Sequence, residues 1–145
     1  MPILCKPAVA VPEHIITLAE TLALMKEHHA NHPELKLAMQ LVRNLGVKTR
    51  HIIMPISEAL EHPGLEVRND RHDVEAQRRL PPVIEEALKN AQLTVLDIDV
   101  ILYVSCTSYR MPSMTAWLIN NLGFRPTTRQ IPINQLGCAA GGSVS

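Results

Sequence analysis

A cysteine close to the end of the sequence stands where a protein would place a nucleophile. Cys138 follows a short β-prone run and Gly137, a residue that permits a sharp turn, and small residues come after it. A helix that begins at this cysteine would favour the thiolate over the thiol, because its N-terminal N–H groups and dipole attract negative charge. The pattern predicts a reactive thiol, and its alternative is a buried structural cysteine beside a glycine-rich turn.

A second polar loop, residues 105–112 (SCTSYRMP), follows the most apolar run of the chain. That run, Ile98–Val104, is β-branched and nearly continuous, which is typical of a strand buried on both faces of a parallel sheet. Open α/β sheets bind ligands beyond the carboxyl ends of their strands, so we expect this loop and Cys138 to share one rim. Cys106 is then either a second thiol near the first or a small apolar residue at a strand end.

Two further clusters carry weaker signals. Arg43, Lys48 and Arg50 form a basic patch that suits a diphosphate, although cations near a helix C-terminus are favoured in any case. His28 and His32 are four residues apart and could face one metal ion, but no cysteine or carboxylate lies at ligand spacing. We therefore expect an exposed polar helix end there and no metal site.

The composition of the 145 residues indicates a globular domain without electrostatic preference. Lysine plus arginine and aspartate plus glutamate number 14 each, which gives no pull toward nucleic acid or an anionic membrane. Aromatic residues make up 3%, too few for the stacking surfaces of single-strand binders, and no apolar run approaches the roughly 18 residues of a membrane span. Three cysteines without a signal-peptide pattern predict reduced thiols in the cytoplasm.

The elements that would position these groups begin with two helices. Ahead of them, Ile3–Val11 is interrupted by proline, as in an edge strand or a lead-in segment. Thr17 and Glu20 form a capping-box pattern before the first helix, and the second helix begins at Pro33 and ends at Gly46. An apolar stripe on the second helix should cover another element. That stripe consists of Leu37, Leu41 and Leu45.

The second half of the sequence alternates strands and helices. Glu66–Arg79 is so charged that we expect a solvated face or a mobile connection, and a helix then begins at Pro81 and Pro82 and runs to about Ala91. The order strand, helix, strand that follows predicts a parallel βαβ unit, with the chain ending inside the next helix. Its members are the strand Ile98–Val104, the helix Pro112–Leu122 and the strand Thr128–Ile133.

Four stretches of the chain together resemble the type III polyketide synthases, the chalcone synthase-like enzymes. They are Leu4–His14 (LCKPAVAVPEH), Arg43–Ile52 (RNLGVKTRHI), Tyr103–Asn120 (YVSCTSYRMPSMTAWLIN) and Thr128–Gly142 (TRQIPINQLGCAAGG). The motifs CT..MPS and QLGCAAGG are weak singly and highly specific jointly. They are most similar to the bacterial members that form tetrahydroxynaphthalene or germicidin.

The resemblance implies an α/β fold of the thiolase-like kind in a homodimer. Two similar halves then pack in five αβαβα layers, and residues 1–145 correspond to the N-terminal half, ending just after the nucleophile. Within that half, the resemblance implies a mixed, mostly parallel sheet with covering helices, and Cys138 at the N-terminus of a buried helix. Half of a shared core should leave the apolar face of Ile98–Val104 partly uncovered.

The same resemblance implies an acyltransferase that uses coenzyme A thioesters as substrates and holds no bound cofactor. Cys138 would take the starter acyl group as a thioester, and malonyl-CoA would then be decarboxylated and condensed onto it. Other positions match residues with roles in the family. Cys106 and Thr107 match the lining of the acyl cavity, Met111 a methionine that reaches into the partner subunit's cavity, Pro112 a cis-proline turn, and Arg43, Lys48 and Arg50 the coenzyme A phosphate contacts.

Two departures from the family pattern limit what the resemblance implies. Ser108, Tyr109 and Arg110 stand where close relatives usually carry small and apolar residues, which leaves the starter unit and product open. The family's catalytic histidine and asparagine belong to the second half, so this chain alone should not make polyketides at a useful rate. Two alternatives stay open: a non-catalytic remnant that docks onto intact subunits through Met111, and a condensing enzyme of the ketoacyl-carrier-protein synthase kind, which the CT..MPS motif disfavours.

Overall fold

The computed structural model describes residues 3–61, 64–108, 110–134, 136–139 and 142, with the backbone alone at Cys138. The chain divides into two compact units. The smaller unit is Val11–His62, and the larger unit consists of Met1–Ala10 and Pro63–Ser145. No helix of the described residues is long and apolar enough to cross a bilayer.

The smaller unit combines a pair of antiparallel strands with three helices. Its elements are β1 (His14–Thr17), α1 (Leu18–His28), α2 (Leu35–Asn44), β2 (Thr49–Ile52) and α3 (Ile56–Leu60), with β1 paired to β2. The Thr17 hydroxyl accepts from the Glu20 N–H (3.2 Å), and the Glu20 carboxylate accepts from the Thr17 N–H (2.8 Å). The bonds from Thr17, backbone first, lower the pKa of the Glu20 carboxyl. The predicted capping box is confirmed.

The leucine stripe of α2 is exposed, so the expectation that it covers another element is wrong. Leu37, Leu41 and Leu45 are 54%, 57% and 66% exposed, whereas Met39 is 6% exposed. Met39 lies about 200° around the helix axis from Leu37, so the buried face of α2 is the opposite one. Gly46 follows the helix with φ +69°, a conformation that costs glycine little.

The larger unit is built around two parallel strands. Its elements are α4 (Gly64–Ala91), a 3-10 turn (Val95–Asp97), β3 (Val100–Ser105), α5 (Met114–Leu122), β4 (Arg129–Asn134) and a second 3-10 turn (Gly137–Ala139). The strands are in register from Val100 opposite Arg129 to Ser105 opposite Asn134, which confirms the predicted parallel βαβ unit. Ser113 caps the intervening helix through its side chain.

Helix α4 differs from the sequence prediction in two respects. The charged stretch Glu66–Arg79 forms its first half, and Pro81 and Pro82 lie in its interior rather than in a first turn. Glu75 accepts from Arg79 Nε at 2.9 Å one turn later, but such a pair contributes only about 0.3–0.5 kcal/mol. An interior proline costs about 3 kcal/mol. Tertiary packing must therefore offset the cost of the prolines, and α4 packs against α5.

The sheet of β3 and β4 is only partly covered. Leu102 and Ile131 are register partners and are 45% and 44% exposed, and Val100 is 37% exposed. The alternate positions of β3 are more buried, because successive side chains point to opposite faces. The prediction of a strand buried on both faces is wrong for this chain, whereas the partly uncovered apolar face is found as expected.

Residues 3–12 carry no helix or strand, so this stretch is a lead-in segment rather than an edge strand. Ile3 and Leu4 are 87% and 99% exposed. The Lys6 carbonyl accepts from Asn90 Nδ2 (3.4 Å), which ties the segment to the last turn of α4.

Candidate functional site

The carboxyl ends of β3 and β4 meet at one edge of the sheet. Ser105 and Asn134, the last residues of the two strands, are register partners. A cavity of about 20 Å³, room for about one water molecule, lies beside Tyr103, Ser108 and Asn134. The chain reaches Cys138 four residues after leaving β4. The edge at which parallel sheets bind ligands is thus the one where the two segments with candidate thiols leave the sheet.

Cys106 and Thr107 follow β3 directly and both are exposed. The Thr107 N–H donates to Ser105 Oγ (3.2 Å), which closes a tight turn at the strand end. Cys106 is a free thiol. The two predicted cavity residues therefore stand together at the rim of the sheet.

Cys138 lies in the 3-10 turn Gly137–Ala139. Gly137 has φ +53°, which confirms the sharp turn expected before the cysteine. The Ala139 N–H donates to the Leu136 carbonyl (3.2 Å). The side chain of Cys138 and residues 140, 141 and 143–145 lie outside the described residues, so the thiolate and the buried helix stay predictions.

Met111, the candidate interface residue, is 89% exposed. The peptide bond that joins it to Pro112 is cis, as the sequence predicted. A thioether this exposed is available to a partner subunit, and the contact itself stays a prediction.

A buried carboxylate lies beside the loop that follows β3. Asp73 of α4 is 3% exposed, and its Oδ2 accepts from Arg110 Nη1 (3.3 Å). Its Oδ1 lies 3.2 Å from His72 Nδ1, and the Ser108 side chain also hydrogen-bonds to the carboxylate. The Arg110 N–H donates in turn to Ser108 Oγ (3.3 Å). Burial raises the pKa of Asp73, but the bonds from Ser108, His72 and Arg110 outweigh it and hold that pKa below its usual value.

Sequence reasoning missed Asp73 because it lies within a strongly charged stretch. It precedes Ile84 by 11 residues, about three helical turns, so it falls on the same face of the helix as that apolar residue. Extending the helical period backward past Pro81 would have singled it out. Its partner Arg110 lies 37 residues away in the sequence. The only sequence signal at Arg110 is that it departs from the family pattern.

The side chain of Tyr103 on β3 lines the same cavity. Burial raises the pKa of the Tyr103 hydroxyl, a hydrogen bond with Ser105 opposes this, and the charge of Asp73 raises it further. The hydroxyl therefore stays protonated and neutral at the rim at physiological pH.

The candidate phosphate contacts lie in the smaller unit. Arg43 is exposed in the last turn of α2. Lys48 is exposed just before β2, and its carbonyl accepts from the Leu18 N–H (2.8 Å). Arg50 is half-buried in β2, and its Nη1 is a buried donor without a hydrogen-bond partner among the described residues. An orphaned donor of this kind is costly, and a polar ligand would relieve the cost.

His28 and His32 lie at and just beyond the end of helix α1. His28 is exposed at the end of α1, and His32 Nδ1 accepts from the Glu34 N–H (3.2 Å). Across the part of the chain that the structure describes, no three His, Cys, Asp or Glu side chains are grouped as metal ligands would be.

Comparison with known families decides what kind of protein carries this arrangement. The sequence profile of the chalcone and stilbene synthases, N-terminal domain, matches residues 4–145. The chain belongs to the chalcone and stilbene synthase family. It is 59% identical over 143 residues to a 1,3,6,8-tetrahydroxynaphthalene synthase of Streptomyces coelicolor, a match that covers 99% of this chain and 38% of that protein. The chain is also 39% identical over 141 residues to a phloroglucinol synthase of Pseudomonas fluorescens, a match that covers 97% of this chain and 40% of that protein.

Solved structures of relatives agree with this assignment. The crystal structure of 1,3,6,8-tetrahydroxynaphthalene synthase from Streptomyces coelicolor, a bacterial type III polyketide synthase, matches with a TM-score of 0.91 at 60% identity, over 96% of this chain and 40% of that chain. Germicidin synthase from Streptomyces coelicolor, at 20% identity and a TM-score of 0.73 over 92% and 43% of the two chains, shares the fold. The predicted family and the thiolase-like α/β fold are confirmed. The chain spans about 40% of the length of these relatives.

Proposed function

We propose that this chain carries the nucleophile of a type III polyketide synthase, an acyltransferase that condenses malonyl-CoA units through a thioester on Cys138. One observation carries the proposal. Because β3 and β4 are parallel and in register, the loop with Cys106 and Thr107 and the segment with Cys138 leave the sheet at the same edge. The identity to a tetrahydroxynaphthalene synthase supports a product of the tetrahydroxynaphthalene or pyrone type.

The proposed chemistry proceeds in two steps. The Cys138 thiolate attacks the thioester carbonyl of the starter acyl-CoA, a new sulfur–carbon bond forms, and the coenzyme A thiolate leaves. Malonyl-CoA then loses carbon dioxide, and the resulting enolate attacks the tethered thioester. A carbon–carbon bond forms and the cysteine thiolate is expelled, so atoms and charge balance. Covalent tethering holds the acyl group beside the incoming extender, which replaces one difficult encounter with two easier steps.

Cys106 and Thr107 are proposed to line the acyl cavity. Both are exposed at the rim next to the strand end that leads to the nucleophile segment. Met111, also exposed, is proposed to reach into the cavity of a second subunit, which makes the complete enzyme a homodimer.

The basic patch of the smaller unit is proposed to hold the phosphates of coenzyme A. Arg43 and Lys48 are exposed, and Arg50 carries the unpartnered guanidinium donor. Guanidinium groups bind phosphate oxygens through charge-assisted hydrogen bonds, so the three cations suit a diphosphate without any metal ion.

Condensation needs more than these residues. The chain covers about 40% of its relatives, and the resemblance assigns the histidine and asparagine that stabilise the enolate to the remaining part. We therefore propose turnover only for a complete synthase, with this chain alone limited to slow acylation.

Mass spectrometry of acylated protein tests the proposal. The sample is a hybrid in which this chain replaces the matched residues of the Streptomyces coelicolor synthase, incubated with an acyl-CoA. We expect a thioester adduct on the peptide that contains Cys138, absent in Cys138→Ala and retained in the matched control Cys5→Ala. A hybrid that folds as a dimer and carries no adduct on Cys138 would reject the nucleophile assignment.

A second candidate function, a non-catalytic docking module, is favoured by the uncovered sheet face. Leu102 and Ile131 form an exposed apolar pair on that face, and such a surface suits contact with another protein. Co-purification of the tagged chain with an intact synthase, lost in Leu102→Lys, would support the module. A stable, monodisperse monomer would count against it.

A further inference from the structure

We propose that Asp73 is a positioning residue for the acyl cavity: it fixes the loop of residues 106–112 through Arg110 and Ser108, and so determines which starter acyl groups the cavity accepts. This inference rests on the proposed condensing function. Asp73 acts through its two partners and touches no substrate.

The contacts converge on the middle of the loop. Asp73 Oδ2 accepts from Arg110 Nη1 at 3.3 Å, and the Ser108 side chain hydrogen-bonds to the same carboxylate. The Arg110 N–H donates to Ser108 Oγ at 3.3 Å, which closes the cluster. The two anchored residues lie directly between Thr107 on one side and Met111 on the other. Holding them fixes the two proposed cavity contacts that flank them.

The burial of the carboxylate makes this anchor strong. The Asp73 side chain is 4% exposed, so it depends on partners from the protein, whereas that of Arg110 is 50% exposed and can turn to water when freed. His72 also lies against the carboxylate, but it neighbours Asp73 on α4 and holds no part of the loop. Arg110 and Ser108 are therefore the groups through which Asp73 reaches the cavity.

The cluster adjoins the core at one buried side chain. Met114 of α5 is 5% exposed and lines the same small cavity as Asp73, Ser108 and Arg110, whereas Leu118, the most buried apolar side chain of the unit, does not line it. Removing the anchor should therefore loosen the loop more than the core around Leu118. A looser loop widens the cavity at Cys106 and Thr107, which favours larger starters over smaller ones.

Hydrogen exchange on the chain itself tests the anchor. In Asp73→Asn, which keeps the shape and removes the charge, we expect the amides of residues 106–108, 110 and 111 to exchange about tenfold faster, the change allowed by loss of one charge-assisted hydrogen bond. Amides of α5 should be accelerated less than those of the loop, by no more than the loss of global stability allows. The matched control is Arg125→Met, which breaks an ion pair with Asp99 in the same unit. If the loop amides exchange as much faster in Arg125→Met as in Asp73→Asn, the proposal is overturned.

Starter preference in the hybrid synthase tests the consequence. We expect Asp73→Asn and Arg110→Met to shift the ratio of kcat/KM for a long-chain over a short-chain acyl-CoA by about tenfold. Arg110→Lys should restore the ratio, because one cationic donor suffices for the single contact at Nη1. General loss of folding lowers both rates together, and an unchanged ratio contradicts the role. If the unsubstituted hybrid forms no adduct on Cys138, the proposed function fails while the exchange result still decides the anchor.

Discussion

The two ends of the β3–β4 sheet are held by ion pairs of opposite character. At the amino end, Arg125 Nη2 lies 2.6 Å from Asp99 Oδ1, and the Asp99 side chain is 86% exposed. At the carboxyl end, Arg110 Nη1 lies 3.3 Å from Asp73 Oδ2, and the Asp73 side chain is 4% exposed. The shorter contact has an exposed carboxylate, and the longer one has a buried carboxylate.

Burial of the carboxylate, more than the distance between the charged groups, decides how much an ion pair contributes to stability. Water solvates an exposed pair almost as well when it is broken, so such a pair contributes about 0–1 kcal/mol. A buried carboxylate has no such replacement, and loss of its partner costs more. At the amino end, the Arg129 N–H donates to the Asp99 carbonyl (2.8 Å), and the side chains of Thr128 and Arg125 donate to the Ile98 carbonyl (3.1 and 3.2 Å). The ion pair is therefore one of several contacts that position the strands there. At the carboxyl end, side chains hold the loop, and that is the end with the candidate chemistry.

The largest effect expected at the carboxyl end is that of Cys138→Ala in the hybrid synthase. Without the sulfur no acyl-enzyme forms, so product formation from malonyl-CoA should fall on the order of a thousandfold or more. Chromatographic quantification of product measures it. Cys106→Ala, at the neighbouring loop, should change the rate far less, because that thiol is proposed to line the acyl cavity without being acylated. Equal losses in the two variants would contradict the assignment of the nucleophile.

Local signals explain what could be predicted of the fold. The Thr17 cap, the glycine after α5 at Gly123 and the sharp turn at Gly137 each depend on a few neighbouring residues, and each was predictable from sequence. The parallel pair of β3 and β4 followed from the order of the elements. The rim that joins the segments of Cys106 and Cys138 was predictable for the same reason.

Long-range contacts explain what could not be predicted. Arg110, the partner of Asp73, is 37 residues away in the sequence. The charged stretch Glu66–Arg79 was therefore predicted to be solvated throughout, although the carboxylate of Asp73 is buried. Helix α4 continues past Pro81 and packs against α5, and local propensity predicts neither the continuation nor the contact. Leu102 lies in an apolar run that is typical of a fully buried strand, yet its side chain is 45% exposed in this chain. In each case tertiary surroundings decided the outcome.

A large effect on stability is expected for Asp73→Ala. The substitution leaves Arg110 and Ser108 without their shared acceptor, so the free energy of unfolding should fall by about 2 kcal/mol. Urea unfolding followed by circular dichroism measures it. The matched control is Asp70→Ala, an exposed aspartate on the same helix, which should change stability by no more than about 0.5 kcal/mol. Similar losses in the two variants would show that burial does not set the strength of the anchor.

A smaller effect is expected in acid. The pKa of Asp73 lies below its ordinary value of 3.8 in the folded chain, so its ionisation favours folding above pH 3.8 and this contribution is lost as the pH falls through the folded pKa. The stability difference between the unsubstituted chain and Asp73→Asn should therefore shrink below pH 3.8. Urea titrations between pH 2.5 and 6 measure it. His72 and Arg110, the side chains in contact with the carboxylate, are present in both proteins. A stability difference that stays constant with pH would therefore show that the ionisation of Asp73 does not cause it.

The smallest effect is expected at the amino end, for Asp99→Ala. Its ion pair with Arg125 is short but exposed, so the free energy of unfolding should fall by less than about 1 kcal/mol. The loss should also disappear in 1 M salt, where the screening length is about 3 Å. More of the effect of Asp73→Ala should persist in the same buffer, because the Asp73 carboxylate is only 4% exposed and its contacts are screened less than those of an exposed pair. If both losses vanish in salt, the two ends of the sheet are held alike, and the contrast between exposed and buried pairs does not apply to this protein.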